Sequence, residues 1–597
     1  MSSCTWNPAF WLLVAAVIVT FMWLDVGSGI EPLIDIPPAQ SETLGDRGNE
    51  HKEVKNGIEP LVDMPPAQSE TLGGGGNEGK DVGNGIGPLV DMPPAQSETL
   101  GEGGSEYKEA KRQGKRNVVL IIADDFRAGM PGVKTPNLSG IMADGVTFAS
   151  AYTQYPLCNP SRASLLSGRK PDITGIYDLD TPTNQQTSPD GTPTLPKLLS
   201  DHGYFTLAGG KVFHGETNAS AFAKIFSPSV IKPYEHNLCK NEMYQSNSGV
   251  RPFLYQRRKF MLSSVMCKLD KSIEFPDHLV ANRALNELEL LSRASVLSED
   301  KGFFMAIGFT STHLPWMVGD KYWDMNNVTT AMNDARLDVK KDIWDRPAVW
   351  PNASYEPGRV HGELFTRQTV QVNKRRALRH GYRASISQLD DLIGMVWGKV
   401  KSTGLADETM LIVTSDHGFD LGEYGHYGKR ALDEGSTHVP LIIRCPWCIR
   451  SNGNEKVITK PVQLVDVYDF ISSNLRLGGG SSQLAKLYRF GVIKNVEPFA
   501  ISQVLRCKGD VCPNSIYPWK DFVSLMGYSI RSGEWRYVVW LPAVAHSNKL
   551  DINWQQIQSE NLYRVVDLDR LELTKITKGE MRTRCDNFLR KLKENHT

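Results

Sequence analysis

The segment from Cys158 to Arg169 combines residue types that could hold and attack an anion. It reads Cys-Asn-Pro-Ser-Arg-Ala-Ser-Leu-Leu-Ser-Gly-Arg. Pro160 is placed to open a helix, and the N-terminal amides and positive dipole end of that helix would point at Cys158 and at any anion it holds. The alternative is a buried cysteine that precedes an ordinary helix.

Polar side chains also follow four predicted strands. The groups are Asp124-Asp125, Lys211 with His214, His313, and Asp416-His417, after strands 118–123, 204–208, 303–309 and 410–414. Ligand sites of open α/β sheets lie outside the carboxyl ends of the strands, so we expect these groups to converge on one crevice. Taken singly, an Asp-Asp pair is often a turn or helix cap, and a lone histidine is often a core residue. Four such groups together favour a functional site.

The acidic residues of this set suit a hard divalent cation. Asp124, Asp125 and Asp416 offer carboxylate oxygens, and His417 adds a nitrogen. Zinc would prefer more histidine or cysteine, and no H-E-x-x-H spacing occurs, so calcium is the predicted ion. Such an ion would polarise the oxygens of a tetrahedral anion.

The Cys158 segment resembles the sulfatase signature C-x-P-S-R-x-x-x-L-T-G-R, with Ser167 in place of the threonine. The family is that of the formylglycine-dependent sulfatases, in the alkaline-phosphatase superfamily. The resemblance implies that the formylglycine-generating enzyme oxidises Cys158 to formylglycine, and that the modified residue joins the metal ligands. One hydroxyl of its hydrate would attack sulfur, and the other would lose its proton as sulfate is expelled.

The same resemblance implies roles for the basic residues. Arg162 would activate the attacking hydroxyl, and either His214 or His313 would protonate the leaving oxygen. Lys211 and Lys429 would neutralise the sulfate oxygens as point charges. Lys429 follows the glycine-rich loop 422–428. The alternative for this lysine is an exposed side chain paired with Asp433 or Glu434.

Several segments are similar to the iduronate-2-sulfatase branch of the family. They are GKVFH at 210–214, TSDHGFDLGE at 414–423, THVPLI at 437–442, and MGYSIR with WRY within 526–537. This similarity runs from about Asn117 into the C-terminal region. It implies a sulfated glycosaminoglycan substrate, namely the 2-O-sulfate of a terminal uronic acid in heparan or dermatan sulfate. The chain departs from the family before His313, where Thr310-Ser311-Thr312 stand in place of a frequent Lys-Pro pair.

Two other functions are considered. A phosphomonoesterase or phosphodiesterase of the same superfamily would share the metal site, but it would use serine or threonine as nucleophile and lack C-x-P-S-R. An inactive glycan-binding protein that keeps the pocket is the other possibility, and unmodified Cys158 in the native protein would favour it. Lys plus Arg equals Asp plus Glu at 67 each, so no net charge directs the chain toward nucleic acid or an anionic membrane.

The elements that must position these residues form an α/β domain. From Asn117, β-branched apolar runs alternate with amphipathic stretches, which predicts a large, mostly parallel sheet flanked by helices over 117–489. A smaller C-terminal α+β subdomain is predicted over 490–597. Its expected elements are strands 527–531 and 535–541 and a charged helix at 582–594.

The sequence of residues 1–116 predicts that the protein is exported and does not indicate a catalytic role for this segment. An apolar run at 10–24, followed by small residues at 26–28, is typical of a cleaved signal peptide within 1–28, and an uncleaved type II anchor is the alternative. A unit beginning at Gly29 recurs at Gly57 and Gly85, and its Pro, Gly and Glu content predicts a stalk or propeptide over 29–116. We therefore expect the secretory pathway, with a lysosomal or extracellular destination.

Cysteines and sequons fit the same compartment. Possible disulfides are Cys507 with Cys512 and Cys239 with Cys267, whereas the Cys445-x-x-Cys448 pair follows a predicted strand at 439–444 and favours a structural loop over a redox motif. Sequons for N-glycosylation occur at Asn137, Asn218, Asn327, Asn352 and Asn595.

Overall fold

A computed structural model of the protein describes most of the chain after residue 115. The described ranges are 116–217, 220–228, 266–269, 275–293, 302–314, 316–326, 372–422, 427–451, 455–478, 480, 482–507, 523–546, 549–567, 572–575 and 581–596. The predicted signal segment and the repeats lie outside these residues, as do three sequons and Cys239 and Cys512. In the described part, no helix is both long and apolar enough to cross a membrane.

The described strands number twenty-one in chain order. They are β1 Asn117–Ala123, β2 Val146–Phe148, β3 Ala151–Tyr152, β4 Phe205–Gly210, β5 Lys224–Ser227, β6 Met266–Leu269, β7 Phe303–Gly308, β8 Trp316–Gly319, β9 Thr409–Ser415, β10 Asp420–Leu421, β11 Tyr427–Gly428, β12 His438–Val439, β13 Leu441–Arg444, β14 Val457–Ile458, β15 Val462–Gln463, β16 Phe499–Cys507, β17 Val523–Ser532, β18 Trp535–His546, β19 Lys549–Ile552, β20 Ser559–Asp567 and β21 Glu572–Lys575.

The described helices lie mostly between these strands. They are α1 Pro136–Asp144, α2 Cys158–Ser167, α3 Pro171–Thr174, α4 Leu195–Asp201, α5 Pro276–Arg293, α6 Asp320–Met325, α7 Val372–Ser402, α8 Glu434–Thr437, α9 Asp466–Asn474, α10 Gln483–Phe490 and α11 Met581–His596, with a 3₁₀ turn at Ala406–Glu408.

Eight strands form the main sheet in the order β14-β2-β13-β9-β1-β7-β4-β5. The strands β9, β1, β7, β4 and β5 are mutually parallel, and β13 pairs antiparallel with both β9 and β2. All seven residues of β1 are buried, and the six from Val118 to Ala123 alternate between two hydrophobic clusters, one on each face of the sheet. A sheet covered on both faces needs continuous apolar strands, which is the pattern that the sequence shows.

Helices cover the two faces. The cluster on one face includes residues of α1, α5 and α7, and the cluster on the other includes residues of α2, α4, α9 and α10. The predicted α/β class, with a large and mostly parallel sheet, is confirmed. The four strands predicted to carry the site, β1, β4, β7 and β9, lie next to one another in the order β9-β1-β7-β4.

The C-terminal part is a second sheet, which is antiparallel and has the order β16-β17-β18-β20-β21, with β19 paired to β18. Helix α11 packs on it through Cys585, Phe588 and Leu592. The same hydrophobic cluster contains Tyr155 and Leu432, which belong to loops of the main domain. The predicted C-terminal sheet and charged helix are therefore confirmed, and the sheet itself begins at Phe499.

Two local expectations need correction. The predicted strand 439–444 is two strands, because β12 pairs with β3 while β13, beyond Pro440, pairs with β9 in the main sheet. Helix α2 begins at Cys158 itself, and Pro160 is its third residue rather than its opening one. A first-turn proline is tolerated because its missing N–H has no partner within the helix anyway.

The described cysteines include both disulfide-bonded and free residues. Cys445 and Cys448 form a disulfide in the loop after β13. Cys507 is also disulfide-bonded. Among the described residues, Cys158 and Cys585 are free thiols, and both are buried.

Candidate active site

The site forms where the central parallel strands end. Asp124 directly follows β1, Lys211 directly follows β4, and Asp416 directly follows β9. His313 lies in the loop after β7. Because these strands are adjacent and parallel, their carboxyl ends open on the same edge of the sheet. The structure thus brings together side chains that are far apart in the sequence.

Cys158 is at the centre of this cluster, at the first position of α2. Its Sγ lies 3.4 Å from Asp124 Oδ1, 3.3 Å from His417 Nε2 and 3.4 Å from Lys429 Nζ. Burial and Asp124 raise the pKa of the Cys158 thiol, but Lys211, Lys429 and His417 outweigh them, so the net pKa is well below its usual value. The position therefore favours a negatively charged group.

The next residues of the signature attach α2 to the end of β9. Arg162 is fully buried, and its Nε lies 2.8 Å from Asp416 Oδ2. Its Nη1 donates to the carbonyl of Lys211. Ser161 donates through Oγ to the carbonyl of Asp416. Two residues of C-x-P-S-R thus link the ends of β4 and β9 to the helix that carries Cys158.

The carboxylates have unequal environments. Burial raises the pKa of Asp124, but Lys211, His313 and Arg162 lower it, and the net pKa is well below the usual value. Burial raises the pKa of Asp125 to about 7, although Lys429, His313 and His417 act to lower it. The pKa of Asp416 is also raised, again chiefly by burial. A bound cation would favour the charged form of the latter two.

Asp125 shows the strongest indication of a missing partner. Its backbone has a φ of 65°, in the left-handed region, and its N–H donates to Asp416 Oδ1 at 3.2 Å. Its Oδ1 lies 3.1 Å from Lys429 Nζ and 3.2 Å from His417 Nδ1. Its Oδ2 is buried and has no hydrogen-bond partner among the described residues. An orphaned buried carboxylate oxygen calls for a ligand.

These donors fit a hard divalent cation. Ligand atoms of Asp124, Cys158, Asp416 and His417 all lie within 4.8 Å of one another, and those of Asp124, Asp125 and His313 form a second, overlapping group. Three carboxylates with one imidazole are the donor set that oxygen-preferring ions use. Four of the five residues predicted as metal ligands therefore form one group, and the fifth, Asp125, lies in the second group, which shares Asp124 with the first.

Both predicted lysines reach the cluster. Lys211 forms an ion pair with Asp124 Oδ2. The side chain of Lys429 is only 2% exposed, and it contacts Asp125 and Cys158 as described above. The alternative of an exposed lysine does not match this burial, and Glu434 pairs with Arg536, at 2.7 Å.

The two predicted histidines differ in position. His313 Nε2 lies 3.9 Å from Asp125 Oδ2, and its Nδ1 is 2.6 Å from the carbonyl of Leu314, which orients the ring. His214 follows β4 as predicted, but the described contacts do not link it to the cluster, and its buried Nδ1 has no hydrogen-bond partner among the described residues. His313 is thus the better placed of the two.

Supporting residues were not found from the sequence. Asp277, at the start of α5, accepts hydrogen bonds from the backbone and hydroxyl groups of Thr310 and Ser311 and so holds the loop that carries His313. Tyr382, in α7, donates to the carbonyl of Asp125 at 2.5 Å. An acid after a proline at a helix start was a weak signal for the first, and nothing in the helical pattern distinguished the second.

Known proteins are similar to this chain in sequence and in fold. A family model described as Sulfatase matches residues 116–479. Iduronate 2-sulfatase of Homo sapiens is 26% identical over 526 residues, which cover 76% of this chain and 90% of that protein.

Two solved structures share the fold. A phosphonate monoester hydrolase of Agrobacterium radiobacter has a TM-score of 0.55 at 18% identity, over 81% of this chain and 96% of that one. A protein solved in complex with its substrate D-glucosamine-2-N,6-O-disulfate has a TM-score of 0.56 at 18% identity, over 81% of this chain and 98% of that one.

Proposed function

The chain belongs to the sulfatase family, and from that premise we propose that it hydrolyses the 2-O-sulfate of uronic acid residues in heparan or dermatan sulfate. The observation that carries the reaction type is the position of Cys158, within 3.3–3.4 Å of Asp124, His417 and Lys429 at the N-terminus of α2. Similarity to human iduronate 2-sulfatase, over 90% of that protein, supports the choice of substrate.

Residue 158 acts as formylglycine in this proposal, made from Cys158 by the formylglycine-generating enzyme. Its hydrate supplies a hydroxyl that attacks sulfur and a second hydroxyl whose deprotonation releases sulfate. Asp124, Asp125, Asp416 and His417, with residue 158 itself, would hold one calcium ion, which supplies positive charge to the sulfate oxygens.

The protein's own side chains do the remaining work. Lys211 and Lys429 neutralise the sulfate oxygens, because both ammonium groups lie within the buried cluster, where a point charge is weakly screened. Lys429 Nζ is 3.4 Å from Cys158 Sγ, so it acts on the sulfate rather than on the carboxylate of the sugar. His313 protonates the leaving sugar oxygen, since its ring lies at the edge of the cluster with a partly exposed side chain.

Export is part of the proposal. The disulfide Cys445–Cys448 fits an oxidising compartment. We therefore place the enzyme in the secretory pathway, with a lysosomal or extracellular destination.

Mass spectrometry of protein purified from secreting cells tests the nucleophile. Residue 158 should be found without sulfur, as formylglycine or its hydrate, and Cys158→Ala should fold but release no sulfate. An intact thiol in fully active protein would contradict the mechanism.

Sulfate release from a panel of defined disaccharides tests the substrate. A terminal 2-sulfated iduronate should be hydrolysed with a higher kcat/KM than a 6-sulfated glucosamine, and conversion of the uronate carboxylate to a neutral ester should lower the rate. Preference for the hexosamine, or equal rates with acid and ester, would overturn the uronate assignment and leave the sulfatase reaction in place.

A further inference from the structure

The loop that carries Lys429 is held from the C-terminal sheet. Arg506, in β16, donates from Nη2 to the carbonyl of Arg430 at 2.7 Å, directly after the lysine. Arg536, in β18, donates to the carbonyl of Leu432 and pairs with Glu434. Both arginines are buried. Charged side chains of the C-terminal subdomain thus donate hydrogen bonds to the backbone of a loop that belongs to the main domain.

Arg430 is where this restraint acts on the lysine. Its φ is 66°, a left-handed conformation that is unfavourable for a residue with a Cβ. Two hydrogen bonds fix its backbone: its N–H donates to the carbonyl of Pro156 at 2.9 Å, and its carbonyl accepts from Arg506. A conformation of this kind persists where the surroundings determine it. It turns the chain immediately after Lys429, whose Nζ reaches Asp125 and Cys158.

The same strand also holds the segment that leads to Cys158. Ser502 Oγ donates to the carbonyl of Thr153 at 2.5 Å, and the N–H of Gln503 donates to the carbonyl of Gln154 at 2.9 Å. The N–H of Leu505 donates to Tyr155 Oη at 3.0 Å. Strand β16 is therefore a common support for the nucleophile segment and for the lysine loop.

We propose that Arg506 is a positioning residue that sets the place of the Lys429 ammonium group relative to residue 158. This inference rests on the proposed function, in which Lys429 neutralises the sulfate. Lysine has a long, flexible side chain, so the place of its charge depends on where its backbone is held. A displacement of about 1 Å at a reacting group can cost about 10²-fold in rate. The rate should therefore depend on an arginine that does not touch the substrate.

A double-mutant cycle tests whether Arg506 acts through Lys429. We expect Arg506→Met to lower kcat by about 10-fold to 100-fold with a smaller change in KM. Arg506→Lys, which keeps one donor for the Arg430 carbonyl, should recover part of that loss. In a Lys429→Met background, the further loss caused by Arg506→Met should be no more than about twofold, because the group it positions is gone. Equal losses in both backgrounds would overturn the proposal.

A matched control separates positioning from loss of stability. Arg444 also donates to a backbone carbonyl, that of Ala406, and pairs with Asp144 away from the site. Arg444→Met should change the melting temperature without changing kcat. A fall in kcat for Arg444→Met as large as that for Arg506→Met would mean that general destabilisation explains both.

Lysine labelling gives a readout that does not depend on activity. Acetic anhydride followed by peptide mass spectrometry should label the buried Lys429 slowly in the wild type and several-fold faster in Arg506→Met, with less change at Lys211. If the wild type releases no sulfate but the labelling changes in this way, the proposed function fails and the positioning stands. Unchanged labelling and unchanged kcat in Arg506→Met would reject the positioning role itself.

Discussion

At the scale of residues, the site is a balance of buried charges. Three carboxylates are surrounded by cationic side chains, namely Lys211, Lys429, Arg162 and His417. Burial lowers the pKa of His417, yet Asp416 and the Cys158 thiolate raise it to about 10 overall. Buried charges are tolerated only when they are paired, so each member of this set depends on the others. The side chains of Lys211, Lys429 and Arg162 place positive charge near residue 158, which suits an anionic substrate.

Loss of one carboxylate should weaken calcium binding and catalysis together. We expect Asp124→Asn to lower kcat/KM by at least about 10²–10³-fold, the typical cost of a lost transition-state stabiliser. Calcium at a hundredfold excess over its Kd should stabilise the wild type by about 2.7 kcal/mol. That stabilisation should be smaller in the variant, as measured by melting temperature against calcium concentration.

The exposed Asp190, which pairs with Arg169, provides the control for this prediction. Asp190→Asn should leave both the calcium response and kcat/KM unchanged. Chelation that alters neither the activity nor the melting temperature of the wild type would contradict the metal assignment.

His313 should matter most for poor leaving groups. If it protonates the leaving oxygen, His313→Gln should lower kcat on a sugar sulfate by about 10²–10⁴-fold, the usual contribution of a general acid. The loss should be much smaller on 4-nitrophenyl sulfate, whose phenolate leaves without protonation. His214→Gln and the exposed His202→Gln serve as comparisons. A leaving-group dependence that appears for His214→Gln instead would transfer the role to that residue.

At the scale of elements, α8 connects the C-terminal sheet to β3, which lies in a separate three-stranded sheet with β12 and β15. Glu434, its first residue, lies 2.7 Å from Arg536 Nη2 and 3.1 Å from the hydroxyl of Tyr152 in β3. Burial raises the pKa of this carboxyl, but Arg536, His438 and Arg531 outweigh that effect, so the net pKa is below its usual value. The charged form of Glu434 is therefore the one that stabilises the fold.

Glu434→Gln should destabilise the protein by about 3–5 kcal/mol at neutral pH, because it leaves buried arginines without their counter-charge. The folded-state pKa is lowered, so the stability that Glu434 contributes is fully present above the unfolded-state pKa and is lost as the pH falls through the folded-state value. Denaturant unfolding of the wild type and of Glu434→Gln should thus show a difference in the free energy of unfolding. This difference should be constant above about pH 5 and decrease at lower pH.

The surface pair Glu534 with Arg564 is the matched control for Glu434. Glu534→Gln should cost less than about 1 kcal/mol, as exposed pairs usually do. An equally small cost for Glu434→Gln would show that the buried network does not hold α8 in place.

At the scale of the whole molecule, the site needs both sheets. The main sheet supplies Asp124, Lys211 and Asp416 at its strand ends, and the C-terminal sheet supports the loops that carry Cys158 and Lys429. The hydrophobic cluster of the C-terminal sheet includes Tyr155, Leu157 and Leu432 from those loops. The C-terminal sheet is therefore part of the catalytic unit and not a separate module.

Removal of residues 29–115 should leave this unit intact. The described hydrophobic clusters begin at Val118, and the repeats contain too little apolar surface to form a core of their own. We expect the shortened protein, expressed behind a signal peptide, to keep kcat/KM within about threefold and its melting temperature within about 2 °C. Loss of secretion or activity would assign the repeats a role in folding. The variant should keep Arg116, which donates to the carbonyl of Asn474 at 2.8 Å.

The sequence by itself determined the fold class, the family and most of the residues at the strand ends. Continuous apolar runs identify strands buried on both faces, and the carboxyl ends of parallel strands share one edge, so Asp124, Lys211 and Asp416 could be grouped without a structure. The C-x-P-S-R resemblance added residue 158. These inferences succeed because they depend on local periodicity and on a rule of topology. The formylglycine, the signal segment and the role of the repeats stay predictions.

Only the tertiary structure decided how those residues are supported. Tyr382 reaches the backbone of Asp125 across 257 positions, and Arg506 reaches Arg430 from another sheet. The tertiary structure also showed that Lys429 is buried against Cys158 rather than exposed, and that His313 is closer to the cluster than His214. Such partnerships are set by which elements pack together, and a hydrogen bond between distant residues leaves no periodic trace in either segment. The residues that carry the chemistry can therefore be identified from the sequence, whereas the positions of their side chains depend on the tertiary structure.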